Sequence, residues 1–191
     1  MANRKIEQIE KEIKNLYEES NDECLSTWFF QGHVKIVADY SRKIARENKL
    51  DVEICVLASL FHDIARIKGI DDPELMNQSL EMTGEMMKKH GYDDRIIKSV
   101  QEAILHHSCR DKIPRTKEGK AIATADALAH LMTDFYLVLT YTKWGHHSKT
   151  LSEYRTWVSK KIERDYNKKI FFPKYKKIAK KRYEAIKEVF R

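Results

Sequence analysis

Residues 51–63 of the chain read DVEICVLASLFHD. The middle of this stretch is apolar almost all round, and a helix without a polar face is buried rather than lying at the surface. Asp51 is a good N-cap residue for such a helix. The stretch therefore predicts the central buried helix of a bundle, ending in the pair His62-Asp63.

The His62-Asp63 pair is the first candidate for chemistry. Taking an imidazole and a carboxylate out of water is costly unless they are paired, hydrogen-bonded or bound to a metal. The dipeptide alone leaves two interpretations open, a helix end with satisfied side chains or part of a functional site.

The rest of the chain has a helical pattern. Its 191 residues suit one domain, and six Gly and three Pro leave little material for the turns of a β-sandwich or barrel. We predict an all-α fold, with an N-terminal helix in residues 1–24 and a single-domain bundle over residues 25–191. The expected helices cover about 4–19, 32–47, 51–62, 72–91, 93–107, 118–141, 150–167 and 174–190.

No stretch approaches the roughly 18 to 20 uncharged apolar residues of a membrane span, and the N-terminus is charged rather than signal-like. We therefore expect a cytoplasmic protein without a membrane partner. Cys24, Cys55 and Cys109 are odd in number and widely spaced, so we expect ordinary thiols.

The net charge of +7 comes from the end of the chain. Residues 160–191 carry 13 Lys or Arg against four Asp or Glu, whereas residues 1–159 carry 23 against 25. Apolar residues recur at helical spacing from Tyr175 onward, which predicts an amphipathic helix. Two interpretations follow: a helix docked on the core, or a surface that attracts phosphate or nucleic acid.

Three further polar residues point inward. His33 shares a helical stripe with Ile36, Val37, Tyr40 and Ile44. Asp126 is the only charge in the run from 121 to 129. His107 follows Ile104, Val100 and Ile97 by 3, 7 and 10 residues and faces the core, whereas His106 is rotated away by about 100°.

Two His and two Asp, namely His33, His62, Asp63 and Asp126, thus project inward from three helices. Imidazole and carboxylate without thiolate suit one divalent ion of Mn, Fe, Co, Ni, Zn or Mg. Four protein ligands leave positions on a six-coordinate ion for water and a phosphate oxygen.

The order His33, His62-Asp63, Asp126 resembles the HD superfamily of metal-dependent phosphohydrolases. The resemblance covers roughly residues 25–191 and includes the flanks of these residues. Those flanks are Gly32-His33-Val34, Ala58-Ser59-Leu60-Phe61-His62-Asp63-Ile64, Ala103-Ile104-Leu105-His106-His107-Ser108 with the loop through Pro114 to Lys120, and Phe172-Pro173 to Arg182.

The resemblance implies an HD-type helical bundle and roles for named residues. His33, His62, Asp63 and Asp126 would be metal ligands, and Asp63 would also orient or deprotonate the attacking water. His107 would contact phosphate or assist the leaving group. Arg66 and Lys68, close to the pair in sequence, are candidates for neutralising phosphate charge.

Two departures from the family pattern concern the substrate. The residues beside Asp126 in sequence are Thr124, Ala127 and Ala129, where relatives of similar length carry a denser charged cluster. Ile64, Ala65 and Arg66 follow the pair, where the branch that hydrolyses deoxynucleoside monophosphates has a Glu. This weighs against a strict nucleotidase.

We therefore predict a phosphohydrolase for a small phosphorylated compound such as a nucleotide, with phosphomonoesterase, phosphodiesterase and pyrophosphohydrolase activity all open. The alternative is a metal-containing module that binds nucleotide or nucleic acid with little turnover. A third option is an oxygenase, since some relatives hold two irons with extra histidines. We expect His146 and His147 at the surface, and Trp28, Trp144 and Trp157 in packing rather than base stacking.

Overall fold

The computed structural model describes residues 2–70, 73–142 and 150–190. Over these ranges the chain is helical without a β-strand, which confirms the all-α class. The described α-helices are α1 (Ala2–Glu18), α2 (Lys35–Glu47), α3 (Val52–Phe61), α4 (Leu75–Lys89), α5 (Asp94–Ile104), α6 (Lys117–Met132), α7 (Phe135–Tyr141), α8 (Leu151–Arg164) and α9 (Pro173–Val189). A π-helical segment Leu25–Val34 precedes α2, a 3₁₀ turn Ile64–Lys68 follows α3, and a π-helical segment Asp165–Lys169 continues α8.

Helix α3 is the central helix that its sequence predicts. Asp51 caps it by accepting the backbone N–H of Ile54 at 3.0 Å. Every residue from Cys55 to Phe61 is buried, and α3 packs against α1, α2, α5 and α6. Its C-terminal end therefore delivers His62 and Asp63 into the interior of the bundle.

The π-helical segment before α2 is held by a close approach at a glycine. The indole of Trp28 lies over Gly32, and a Cβ at position 32 would overlap that ring. The indole also packs on Phe135, with ring centroids 6.1 Å apart. This packing fixes the next residue, His33, whose ring contacts Phe29 at 5.0 Å and Phe135 at 5.3 Å between centroids.

The single helix predicted over residues 118–141 is wrong, because α6 and α7 are two helices bent by 69°. Thr133 between them has an extended backbone. Its hydroxyl donates to the Ala129 carbonyl at 2.6 Å and accepts the Phe135 N–H at 3.2 Å, so a side chain takes over bonds that a continuous helix makes with its backbone. The bend turns Phe135 toward His33.

Helix α9 docks on the bundle through Tyr175 and Ala179, which are buried, and packs against α6 and α8. This confirms the docked interpretation of the basic C-terminal helix. Its opposite face is exposed and carries Lys177, Lys180 and Lys181.

Among the described residues, no single helix has both the length and the apolar character needed to cross a membrane. Only the bent pair α6 and α7, counted together, reaches that length and composition. Helix α6 buries nearly all of its apolar side chains, and α7 buries Phe135, Tyr136 and Leu139 while Leu137 and Tyr141 are exposed.

Candidate metal centre

The four predicted ligands meet in one buried cluster. His33 comes from the end of the π-helical segment, His62 and Asp63 follow the last turn of α3, and Asp126 lies in the middle of α6. His33 and His62 are each 1% exposed and Asp126 is 4% exposed. The helices thus bring together residues that are up to 93 positions apart in sequence, counting from His33 to Asp126.

The distances between the donor atoms suit a single ion. Nε2 of His33 lies 3.1 Å from Nε2 of His62 and 3.4 Å from Oδ1 of Asp126. Nε2 of His62 lies 3.8 Å from Oδ1 of Asp126 and 4.0 Å from Oδ2 of Asp63. Ligand atoms about 2.1 Å from an octahedral ion lie about 3 Å apart when adjacent and about 4 Å apart when opposite. The residues present therefore fit a divalent metal ion.

The imidazoles present the nitrogen that a metal needs. Nδ1 of His62 lies 2.7 Å from the Ser59 carbonyl oxygen, so it carries the proton and donates it, which leaves a lone pair on Nε2. Nδ1 of His33 is buried and has no hydrogen-bond partner among the described residues. Burial lowers the pKa of His33 well below its ordinary value, so the ring is neutral, which is the form that binds metal.

The carboxylates are held ionised by neighbouring basic groups. Burial by itself raises the pKa of Asp63, but Arg66 and the adjacent histidines outweigh burial and bring that pKa well below its ordinary value. Nε of Arg66 donates to Oδ2 of Asp63 at 2.9 Å. Asp126 behaves alike, since His130 and Lys169 lower its pKa more than burial raises it.

His107 lies at the edge of the cluster, as its inward face predicts. Its Nε2 is 3.8 Å from Oδ1 of Asp63, and its Nδ1 donates to the Ile104 carbonyl at 2.9 Å. Helix α5 ends before it, because Leu105 leaves the helix and His106 adopts a left-handed backbone with φ of 64°. Burial lowers the pKa of His107 to about 4, so its ring is neutral.

The two predicted phosphate-binding cations are placed differently. The 3₁₀ turn has three residues per turn, so Arg66 returns to the side of Asp63. Lys68 is exposed at the end of that turn, and no hydrogen bond or ion pair of the described residues joins it to the cluster. His146, His147 and Trp144 lie outside the described residues.

Sequence reasoning missed the charged surroundings of Asp126. The residues beside Asp126 in sequence are small, which predicts a carboxylate with few charged neighbours. In the structure Asp126 contacts His130 and Lys169, so that prediction is wrong. His130 could have been found, because it follows Asp126 by four positions and shares its helix face. Lys169 and Asp165 come from the segment after α8, for which the sequence offers no local signal.

A second group of potential metal ligands overlaps the first. His33, Asp126 and His130 form one such set, and His33, His62 and Asp63 form the other, with ligand atoms within 4.8 Å of one another in each. The fold and this site define an all-helical protein with a buried centre of imidazoles and carboxylates.

Comparison with known proteins places the chain in a family. The HD domain family model matches residues 30–131, which is more than half of the chain, so the chain belongs to the HD domain family. Members of this superfamily bind divalent metals and are generally metal-dependent phosphohydrolases.

The fold is similar to the crystal structure of a predicted HD superfamily hydrolase from an uncultured Thermotogales bacterium. The match covers 96% of this chain and 87% of that chain at 19% identity, with a TM-score of 0.64. At this identity the match supports the fold alone. The comparison with curated proteins gave no match.

Proposed function

We propose that this protein is a metal-dependent phosphohydrolase that acts on a small phosphorylated substrate, with nucleotides as the first class to test. The observation that carries the proposal is the cluster of His33, His62, Asp63 and Asp126, in which four pairs of donor atoms lie 3.1 to 4.0 Å apart. The side of this cluster that contains Asp63 and Arg66 is the more exposed one, so substrate approaches from there.

When bound, the ion supplies a water of lowered pKa and polarises a phosphoryl oxygen. Asp63 would hold the ion through Oδ2, the oxygen nearer His62, and orient the water through Oδ1. Arg66 is the guanidinium at the more exposed side of the cluster and is the candidate for binding a phosphate there. His107 is neutral and has a lone pair on Nε2, so it can take up the proton that the attacking water loses and deliver that proton to the leaving group.

The charges around the cluster support an anionic substrate. Three carboxylates, those of Asp63, Asp126 and Asp165, are matched by the cations of Arg66, Lys161 and Lys169. These six groups sum to zero and Arg164 near Lys161 and Lys169 adds one more positive charge, so a divalent ion adds positive charge that these groups do not neutralise. A phosphate group supplies the missing negative charge.

The test combines elemental analysis with phosphate release. Purified protein is assayed for bound metal, then incubated with a panel of nucleotides and sugar phosphates in the presence of Mn, Co, Ni or Mg. We expect about one ion per chain and metal-dependent turnover, both abolished by Asp63→Ala. The matched control is His90→Ala, because His90 pairs with Glu12 away from the cluster. Full activity of Asp63→Ala would refute the mechanism.

The alternative is a module that binds nucleotide or nucleic acid, and the exposed lysines of α9 favour it. The sequence also favoured this alternative because no charged residue lies beside Asp126 in the chain, but in the structure Asp126 contacts His130 and Lys169. Polynucleotide binding through the basic face would weaken steeply with salt, whereas turnover of a small substrate would not. Stoichiometric metal with no turnover on any phosphate would favour this alternative.

A further inference from the structure

His130 is in direct contact with two of the predicted metal ligands, His33 and Asp126. It follows Asp126 by one helical turn on α6, and its ring stacks parallel on that of His33, with centroids 5.0 Å apart and planes 7° apart. Its Nε2 lies 3.1 Å from Oδ1 of Asp126, which matches the shortest distance between the predicted ligands. The ring is 4% exposed.

The other nitrogen of this ring shows where its proton is. Nδ1 of His130 lies 2.8 Å from Oδ2 of Asp165, which is fully buried. Asp165 also accepts the Tyr136 hydroxyl at 2.6 Å and lies 3.4 Å from Nζ of Lys161 and 3.7 Å from Nζ of Lys169. Because the Asp165 carboxylate is ionised and can only accept, Nδ1 of His130 carries the proton and donates it to Oδ2.

This tautomer creates a conflict that a cation resolves. With the proton on Nδ1, Nε2 of His130 has a lone pair, which faces the carboxylate oxygen of Asp126. Two acceptors at that distance repel each other. Nζ of Lys161 lies 3.2 Å from Nδ1, so a cation already flanks the far side of this ring. A metal ion beside both atoms satisfies the two lone pairs together.

We propose that His130 is a fifth protein ligand of the metal ion and that Asp165 is the positioning residue that orients it, an inference that rests on the proposed metal site. A carboxylate that holds the far nitrogen of a ligand histidine is a common arrangement around protein metals. Oδ1 of Asp126 is the oxygen near both His33 and His130, and Oδ2 pairs with Lys169.

The fifth ligand changes which ions the site prefers. Three imidazoles and two carboxylates favour Mn, Fe, Co, Ni or Zn over Mg, which prefers oxygen and retains its water. A six-coordinate ion then has one position left, for the water or for a phosphoryl oxygen. If the water takes it, the ion no longer polarises a phosphoryl oxygen itself, and Arg66 beside Asp63 is the candidate for binding the phosphate.

The wild-type protein loaded with Co²⁺ tests the ligand count directly. The exchangeable ring N–H proton of each histidine bound to Co²⁺ shifts far outside the normal range of proton NMR. We expect three such resonances, from His33, His62 and His130, and we expect Asp165→Asn to move one of them. Two resonances would overturn the inference, because His130 would then only hydrogen-bond to Asp126. Two ions per chain would overturn the single shared ion.

Metal affinity provides the second test, measured by competition with a chelator. We expect Asp165→Asn to weaken Co²⁺ binding roughly 10-fold to 100-fold, and His130→Asn to weaken it at least as much. Mg²⁺ binding should change less. Circular dichroism of the metal-free variants checks that they fold. The matched control is His90→Asn, since His90 also pairs with a carboxylate, that of Glu12, at 2.7 Å.

The outcomes separate this inference from the proposed function. A wild-type protein that binds no metal contradicts the proposed function itself. A wild-type protein that binds one ion, with His130→Asn and Asp165→Asn binding equally well, contradicts only the role of His130.

Discussion

Lys169→Met is the substitution for which the structure predicts the largest loss of stability. Lys169 is 2% exposed, and its ammonium pairs with Asp126 and lies 3.7 Å from Oδ1 of Asp165, which is fully buried. Methionine has a similar length but no charge, so it leaves two buried carboxylates with one cation fewer. Removing one partner of a buried ion pair costs about 3 to 5 kcal/mol.

This loss is a large part of the free energy of unfolding of an ordinary domain, which is about 5 to 15 kcal/mol. Urea unfolding measures it. With a slope of about 2 kcal/mol per molar urea, the midpoint should fall by about 2 M. The measurement is made with a chelator present, because a bound ion would compensate the carboxylates and hide the effect.

The control and the second variant make the result decisive. Lys174→Met removes an exposed lysine that pairs with Glu47 on the surface, and it should leave the midpoint unchanged within error. Adding Asp126→Asn to Lys169→Met removes one uncompensated charge, so the double variant should be more stable than Lys169→Met alone. A midpoint shift for Lys169→Met no larger than that of Lys174→Met would refute the reasoning.

The remaining predictions concern pH, packing and metal. Burial lowers the pKa of His107 to about 4, so from about pH 6.5 downward the unfolded chain binds a proton at this residue and the folded chain does not. The free energy of unfolding of the metal-free protein should therefore fall between about pH 6.5 and about pH 4, by about 1.4 kcal/mol per pH unit for each such group. Thermal melts across this range should show a smaller pH dependence for His107→Gln than for the wild type, and an equal pH dependence would contradict the lowered pKa of His107. Gly32→Ala should lower the free energy of unfolding by about 1 to 3 kcal/mol, because the added methyl overlaps Trp28, and a neutral result in urea unfolding would show that the indole moves away. Mn²⁺ at 100 times its dissociation constant should raise the free energy of unfolding of the wild type by about 2.7 kcal/mol. The unfolding temperature of Asp126→Asn should not change when Mn²⁺ is added, and equal changes in the two proteins would mean that the ion binds elsewhere.

The sequence predicts what depends on local spacing. The apolar run before His62 identifies the buried helix, and the helical stripe that contains His33 identifies its inward face; both are borne out. The sequence did not predict the break between α6 and α7. The break depends on the hydroxyl of Thr133, which replaces backbone hydrogen bonds of a continuous helix, whereas the helix propensity of the surrounding residues favours continuation.

What the sequence could not show is which distant charges meet. Asp165 and Lys169 reach the cluster only because α8 continues as a π-helical segment beside α6. No spacing rule links positions 165 and 169 to position 126, so the environment of Asp126 looked apolar. The spacing of four residues from Asp126 places His130 on the same helix face. However, a single histidine at the end of an alanine-rich run is equally typical of a surface residue.

The balanced charges of the cluster bear on both metal choice and substrate. A site that attracts a divalent ion by net negative charge would bind Mg²⁺ and Ca²⁺ through oxygen ligands. Here Lys169 and Lys161 already offset Asp126 and Asp165, so that attraction is weak and affinity must come from bonds to imidazole nitrogen, supplied by His33 and its neighbours. The same lysines leave the loaded centre positive. The lysines therefore weaken the electrostatic attraction of the metal ion and strengthen the attraction of an anion. This combination suits the hydrolysis of a phosphorylated substrate.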